Sequence, residues 1–313
     1  MDVVAEVVRS GLVESRHRGV VVHVDPEGRV DWAIGDPQSV IYPRSSNKPF
    51  QAMGMLAAGL DLDGPELAIA TSSHSGEPRH VELVRQVLGL AGLDETALQT
   101  PPSYPLDPHE HARVLREGGG RAPILMDCSG KHAAMLLTCV TRGWSVDDYL
   151  DPQHPLQRQI TATFSELTGA APSVVSVDGC GAPLLATTME RLAVATGRVA
   201  RAETPHAARL ATAIAAHPEV VSGARRDERH FVTRIPGAIA KSGAESVLVV
   251  GLPDGSAFAA KIEDGAERPL YVVMSRAVEV LGVEVTGEGP VLPEPRPAVL
   301  GGGSPVGEMR PAF

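Results

Sequence analysis

The stretch Tyr42-Pro43-Arg44-Ser45-Ser46-Asn47-Lys48-Pro49-Phe50-Gln51 sets a serine three residues ahead of a lysine. A serine hydroxyl is a weak nucleophile at neutral pH and is activated by a base within hydrogen-bond reach, and residues three apart share a helix face. Ser45 with Lys48 meets that requirement, with Ser46 as a spare hydroxyl. Pro49 locates the pair, because a proline ring inside a helix meets the carbonyl four residues back, here Ser45, and is tolerated only in the first turn. Ser45 is therefore expected where a helix begins, near amides that could hold an oxyanion or a substrate carboxylate. The plainer alternative is an N-cap serine followed by a solvent-facing lysine.

Four other stretches carry chemically useful side chains. Thr71-Ser72-Ser73-His74-Ser75-Gly76-Glu77-Pro78 follows the apolar Leu67 to Ala70 and precedes a helix; capping by Ser75 or Glu77 accounts for one or two of these groups but not all. In Met126-Asp127-Cys128-Ser129-Gly130-Lys131-His132 a phosphate loop is excluded, since it needs glycine at 125 and Ser or Thr at 132, where Leu125 and His132 stand. Cys128 ahead of Lys131 and His132 suits either a metal site or a tuned thiol. Val177-Asp178-Gly179-Cys180-Gly181-Ala182-Pro183 reads as a strand-to-helix turn whose glycines allow close backbone approach, with Cys180 by itself a small buried hydrophobe. Lys241, in Ala240-Lys241-Ser242-Gly243-Ala244-Glu245, either lines a cleft floor or sits on a solvated turn. His109 and His111 lack the spacing of a helical zinc motif and read as structural or exposed.

The elements that must position these groups follow from periodicity. Val3 to Arg9, Gly19 to Asp25 and Val30 to Ile34 are short β-rich runs joined by tight turns, which predicts antiparallel strands. Apolar residues three or four apart predict helices over Phe50 to Ala58, Pro78 to Leu90, His109 to Glu117, Lys131 to Thr141, His154 to Thr168, Pro183 to Thr196 and Thr204 to His217. Strands return at Ser246 to Gly251 and Ser256 to Ile262 around a Pro253-Asp254-Gly255 turn, and a last helix spans Pro269 to Leu281. The expected architecture is α+β, an antiparallel sheet built from N- and C-terminal strands flanked by helices, with an inserted helical lobe. As domains, 1–313 is one catalytic unit, with a sheet lobe from about 1–45 and 230–285 and a helical lobe from about 46–229. The segment 289–313, rich in Pro and Gly, is expected to wrap the surface or to lack regular structure.

Composition narrows the function classes. The chain has 313 residues, a formal net charge of −10 and 4% aromatic residues, a poor match to a phosphate backbone or to base-stacking platforms, so no nucleic-acid partner is expected. No window approaches the roughly 18 uncharged apolar residues of a membrane helix, and Met1-Asp2-Val3-Val4 lacks the order of a secretory signal, which predicts a cytoplasmic chain without a membrane partner. Three cysteines, Cys128, Cys139 and Cys180, are too few and odd in number for a disulfide framework.

Taken together, Pro43-Arg44-Ser45-x-x-Lys48-Pro49-x-Gln51-Ala52, Ser73-His74-Ser75-Gly76-Glu77, Cys128-Ser129-Gly130-Lys131-His132, Asp178-Gly179-Cys180-Gly181-Ala182-Pro183 and Lys241-x-Gly243-Ala244-Glu245 resemble the asparaginase II family of the rhizobial type. The resemblance runs from about Val3 to Gly265. It implies a fold similar to serine β-lactamases and glutaminases, and hydrolysis of L-asparagine to L-aspartate and ammonia by a homodimer. It implies two catalytic pairs, Ser45 with Lys48 and Ser73 with Lys241, and substrate contacts from Arg44, His74, His132 and Asp178. It also implies zinc on Cys128, Lys131 and Cys180 with a water as fourth ligand, and no organic cofactor. Asp127 departs from the asparagine expected before the first motif cysteine, and Arg225 to Phe231 is more charged than the family pattern. A glutaminase or β-lactam hydrolase is the nearest alternative, and a non-catalytic amino-acid-binding relative a more distant one.

Overall fold

A computed structural model describes residues 1–313. The chain runs β1 (Asp2–Arg9), β2 (Leu12–Val24), β3 (Val30–Ile34), β4 (Val40–Ile41), α1 (Lys48–Ala57), α2 (Gly64–Ala70), α3 (Pro78–Leu90), α4 (Pro108–Arg116), α5 (Ser129–Arg142) and α6 (Pro155–Thr168). It continues through β5 (Val175–Val177), β6 (Pro183–Leu185), β7 (Thr187–Thr188), α7 (Met189–Ala200), α8 (Pro205–Ala216), α9 (Pro218–Val221) and α10 (Glu228–Arg234). Then come β8 (Ile239–Gly243), β9 (Val247–Gly251), β10 (Ala257–Ile262), α11 (Leu270–Val280), β11 (Ala298–Gly301) and β12 (Ser304–Pro311). No helix is long and apolar enough to cross a membrane.

Two compact units emerge. The first comprises 1–46, 187–201 and 230–313, and the second 47–186 and 202–229. The first holds an eight-stranded sheet in the order β11-β12-β1-β2-β10-β9-β8, with β3 also paired to β2. β2 is long enough to serve two sets of neighbours: its first half pairs with β1, and Gly19 to Val24 pair with β10. Val20 to Val24 are buried without alternation, and so is all of β9, as strands covered on both faces must be. α7 and α11 supply the cover. Gly197 lets α7 approach, since a Cβ there would lie 2.1 Å from the Gly255 carbonyl oxygen.

The second unit is mainly helical. α1 packs on α6, α2 on α8, and α3 on α5. Helix starts follow local chemistry: Asp63, Asp107 and Thr204 accept amides of the first turns of α2, α4 and α8, and proline occupies the first turns of all three.

Three expectations are corrected. Pro183 to Thr196 is not one helix: β6 and β7 come first and α7 begins only at Met189, because Pro183-Leu184-Leu185 folds back on β5 as a hairpin and Thr187-Thr188 pairs with the distant β4, a tertiary partner that periodicity does not reveal. The segment 289–313 is not a loose tail, for β12 pairs with β1 from Ala5↔Pro311 to Arg9↔Gly307, and its fully buried Met309 packs with Val7, Val272 and Val299. The sheet unit therefore takes in 286–313, and it also claims α7 from the range assigned to the helical lobe.

Candidate active site

Lys48 opens α1, and Pro49 in the first turn fixes that start. Its side chain is 1% exposed, a position a lysine holds only when its amine has partners. Nζ donates to the Ser72 carbonyl oxygen and to Ser73 Oγ at 3.0 Å, and Asp127 Oδ2 lies 3.9 Å away. The lysine paired by sequence spacing with Ser45 is thus hydrogen-bonded to Ser73, the hydroxyl assigned above to Lys241. Ser73 reaches it from the loop after α2, so a buried base and a hydroxyl meet inside the helical unit.

In the sheet unit, Ser45 is buried within a short 3₁₀ turn, Arg44–Asn47. Arg44 has φ +53°, a left-handed conformation disfavoured for a residue with a side chain. β8 lies flush against this turn: a Cβ at Gly243 would stand 2.5 Å from Pro43 O and 3.1 Å from Ser45 N. Lys241 on β8 is buried, with Nζ donating to Ser242 O at 2.9 Å, so the solvated-turn alternative is excluded.

The Ser73 loop is pinned from several sides. Ser73 N donates to Val221 O, Ser75 N to Ser222 O and His74 N to Asp127 O. His74, expected at the substrate, is fully buried with both ring nitrogens engaged: Nδ1 accepts from Gly76 N at 3.2 Å and Nε2 lies 2.8 Å from Ser129 Oγ. Burial, helped by the charges of His80 and Lys48, pushes its pKa well down. A neutral imidazole accepting at Nδ1 must donate from Nε2, so His74 ties the loop to the first turn of α5, and Ser129 passes the bond on to Ile124 O.

That first turn also carries the sulfur cluster. Cys128 precedes α5, Lys131 and His132 lie in its opening turn, and Cys180 comes from the turn after β5. Lys131 Nζ donates to Cys180 Sγ at 3.1 Å, and Cys128 packs against Cys180 and Ala182. Cys128, Lys131, His132 and Cys180 are all buried. The hydrogen bond from Cys128 holds the Cys180 thiol far below its usual range, with Lys131 and His132 adding to the effect. The same bond, with burial, pushes Cys128 up. Burial pulls the Lys131 amine down, but Cys180, Cys128 and Asp178 outweigh it and the net direction is up.

His132 is buried, and its Nδ1 lies 2.9 Å from Tyr149 Oη. Nε2 has no conventional hydrogen-bond partner. Burial lowers its pKa, partly opposed by Cys180. Tyr149 itself is pushed up to about 12 by burial and has no feature in the sequence that would single it out. Asp178 accepts from Gly179 N at 2.8 Å and shapes the Cys180 turn.

No three His, Cys, Asp or Glu side chains cluster tightly enough to hold a metal, so a metal here would rest on two cysteines and the Lys131 amine. The donor chemistry fits zinc: two sulfurs and a nitrogen converge in a buried pocket.

Among solved structures, Mglu in its native form matches with a TM-score of 0.50 at 14% identity, over 86% of this chain and 65% of that one. The chain thus spans just under two thirds of Mglu's length. A β-lactamase from Mycobacterium bovis matches with a TM-score of 0.49 at 15% identity, over 85% of this chain and 95% of that one. At such identity the likeness to Mglu speaks to fold alone, and it agrees with the α+β arrangement of antiparallel sheet and inserted helices described above. No curated protein matches the chain. The model of the L-asparaginase II family matches residues 5–311, almost the full length described above, and the chain belongs to that family.

Proposed function

We propose that this protein is an amidohydrolase that converts L-asparagine to L-aspartate and ammonia. The observation that carries the reading is the buried Lys48 amine at 3.0 Å from Ser73 Oγ, in a chain of the L-asparaginase II family. A lysine in its neutral form takes the proton of a serine as the oxygen attacks the amide carbon. The tetrahedral intermediate collapses to an acyl-enzyme, and the leaving nitrogen takes that proton and departs as ammonia. Water then attacks the ester carbon and the serine recovers its proton. Ser73 reaches Lys48 by hydrogen bond, and Ser45, three residues back in the chain, and Lys241 enter the reading from their motifs. Arg44 and Asp178 are assigned to the substrate's charged ends.

Zinc would be held by Cys128, Lys131 and Cys180. When bound it supplies a fixed positive charge that orders or polarises a substrate group. His132, its Nδ1 anchored on Tyr149, keeps Nε2 on the cluster side and fixes the orientation of the Cys180 sulfur.

Ammonia release from asparagine, glutamine and other amides, beside turnover of a chromogenic β-lactam, tests the assignment. Asparagine is expected to be the best substrate. Faster turnover of glutamine or the β-lactam would move the protein to a related serine amidohydrolase. No release from any amide, with a Tm raised by asparagine or aspartate, would make it a binding protein. For the metal, elemental measurement on protein purified without chelator is expected to find about one zinc per chain, lost in Cys180→Ser; a metal-free wild type would remove zinc from the reading.

A further inference from the structure

The charged stretch beginning at Arg225 plays no part in the chemistry above, yet it is laced to the Ser73 loop. Arg225 donates from Nε to Asp107 Oδ2 and from Nη2 to Asp107 Oδ1, both at 2.9 Å, a two-pronged pairing of guanidinium with carboxylate. Nη2 also reaches Glu110 Oε1 at 3.3 Å. Asp107 is 6% exposed and already accepts the His109 and Glu110 amides that start α4. Its own amide donates to Ser75 O at 3.2 Å.

The segment just before Arg225 holds the same loop from the other side. Ser73 N donates to Val221 O at 2.9 Å and Ser75 N to Ser222 O at 2.8 Å, while Ala224 N donates to Glu77 Oε1 at 2.9 Å. Contact is so close at Gly223 that a Cβ there would stand 1.9 Å from Ser75 Oγ. Residues 221–225 and 73–77 therefore form one laced pair of strands of chain without sheet geometry. Its bond nearest the chemistry is Ser73 to Val221, and its far end is closed by Arg225 on Asp107.

We infer that the Arg225–Asp107 pair positions Ser73: it clamps residues 221–225, whose carbonyls set the loop amides, and so keeps Ser73 Oγ at hydrogen-bond distance from Lys48 Nζ. Arg225 and Asp107 are positioning residues and touch no reacting atom. The hydrogen bond from Arg225 holds the Asp107 carboxyl down at about 2, so the clasp stays ionised throughout the working pH range. The inference rests on the serine and lysine chemistry proposed above, and its test separates the two.

Asp107→Asn keeps an amide-accepting cap for α4 but removes the charge that Arg225 binds. Arg225→Lys keeps the charge but loses the fork. In both, kcat for asparagine is expected to fall by about tenfold to a hundredfold with KM within about twofold, as a displaced catalytic group requires. Hydrogen exchange read by mass spectrometry should quicken in the peptide covering 71–77 and stay unchanged in α5. Wild-type exchange at 71–77 in both variants overturns the inference. So does wild-type kcat despite faster loop exchange, and so does exchange that rises equally in α5. If the wild-type protein releases ammonia from no amide, the proposed function fails, and the exchange pattern alone decides whether the clasp holds the loop.

Discussion

Replacing Lys48 by methionine is expected to lower ammonia release by about a thousandfold, the scale of a lost general base, with the fold retained. Methionine keeps an unbranched apolar stem of similar reach in a site where Lys48 is 1% exposed. It removes the amine that binds Ser72 O and Ser73 Oγ. Losing those bonds leaves two buried acceptors without a donor, a cost of about 1–3 kcal/mol each, which a large helical unit can absorb. Arginine is no substitute, because guanidinium is not deprotonated in proteins and cannot act as the base. Steady-state kinetics beside a thermal melt reads the result. A Lys48→Met protein within about tenfold of wild type would mean that the amine holds the loop but moves no proton. Ser73→Ala, which leaves the Lys48 bond to Ser72 O in place, then separates the hydroxyl's chemistry from the lysine's packing.

The second large effect is on stability, at Gly130. Glycine within a helix is ordinarily a liability of about 1 kcal/mol relative to alanine, so Gly130→Ala in α5 would be a stabilising change if helix propensity decided. Packing opposes it: a Cβ at Gly130 would stand 2.4 Å from Ile69 O and 2.7 Å from Ile69 Cγ1. The nearer obstacle is backbone at the end of α2, which cannot rotate away. The first turn of α5 must retreat, and Cys128, Lys131 and His132 move with it. We expect a net loss of about 2 kcal/mol after the propensity gain is counted, measured by urea unfolding. Gly89→Ala in α3 is the internal contrast. A Cβ there meets nothing within 4 Å, so the same substitution should be neutral or stabilising by up to about 1 kcal/mol. Equal behaviour of the two variants would show that close approach is not what Gly130 provides.

Gly130 also shows why a short motif is ambiguous before the fold is seen. Gly130-Lys131 invites a phosphate-loop reading, and mismatches at Leu125 and His132 suffice to reject it. What the glycine does instead, admitting the Ile69 backbone, depends on a residue 61 positions earlier in the chain. Likewise the Ser73 loop carries hydroxyls, an imidazole and a carboxylate in seven residues, but which group faces the chemistry is a matter of orientation. Ser73 turns to Lys48, whereas His74 turns inward to Ser129.

Local chemistry was enough to specify the antiparallel strands β1 to β3, the start of α1 just ahead of Pro49, and most helices. Each of these rests on interactions between near neighbours: alternation, capping, and a proline that cannot follow four residues of helix. The partner of Lys48, the anchoring of His132 by Tyr149, the docking of β12 beside β1 and the Arg225–Asp107 clasp are different. Each joins side chains or strands separated by long stretches of chain, and burial selects among several chemically equivalent candidates. No periodicity records that choice, because it is made by which surfaces pack together once the helices and strands have formed.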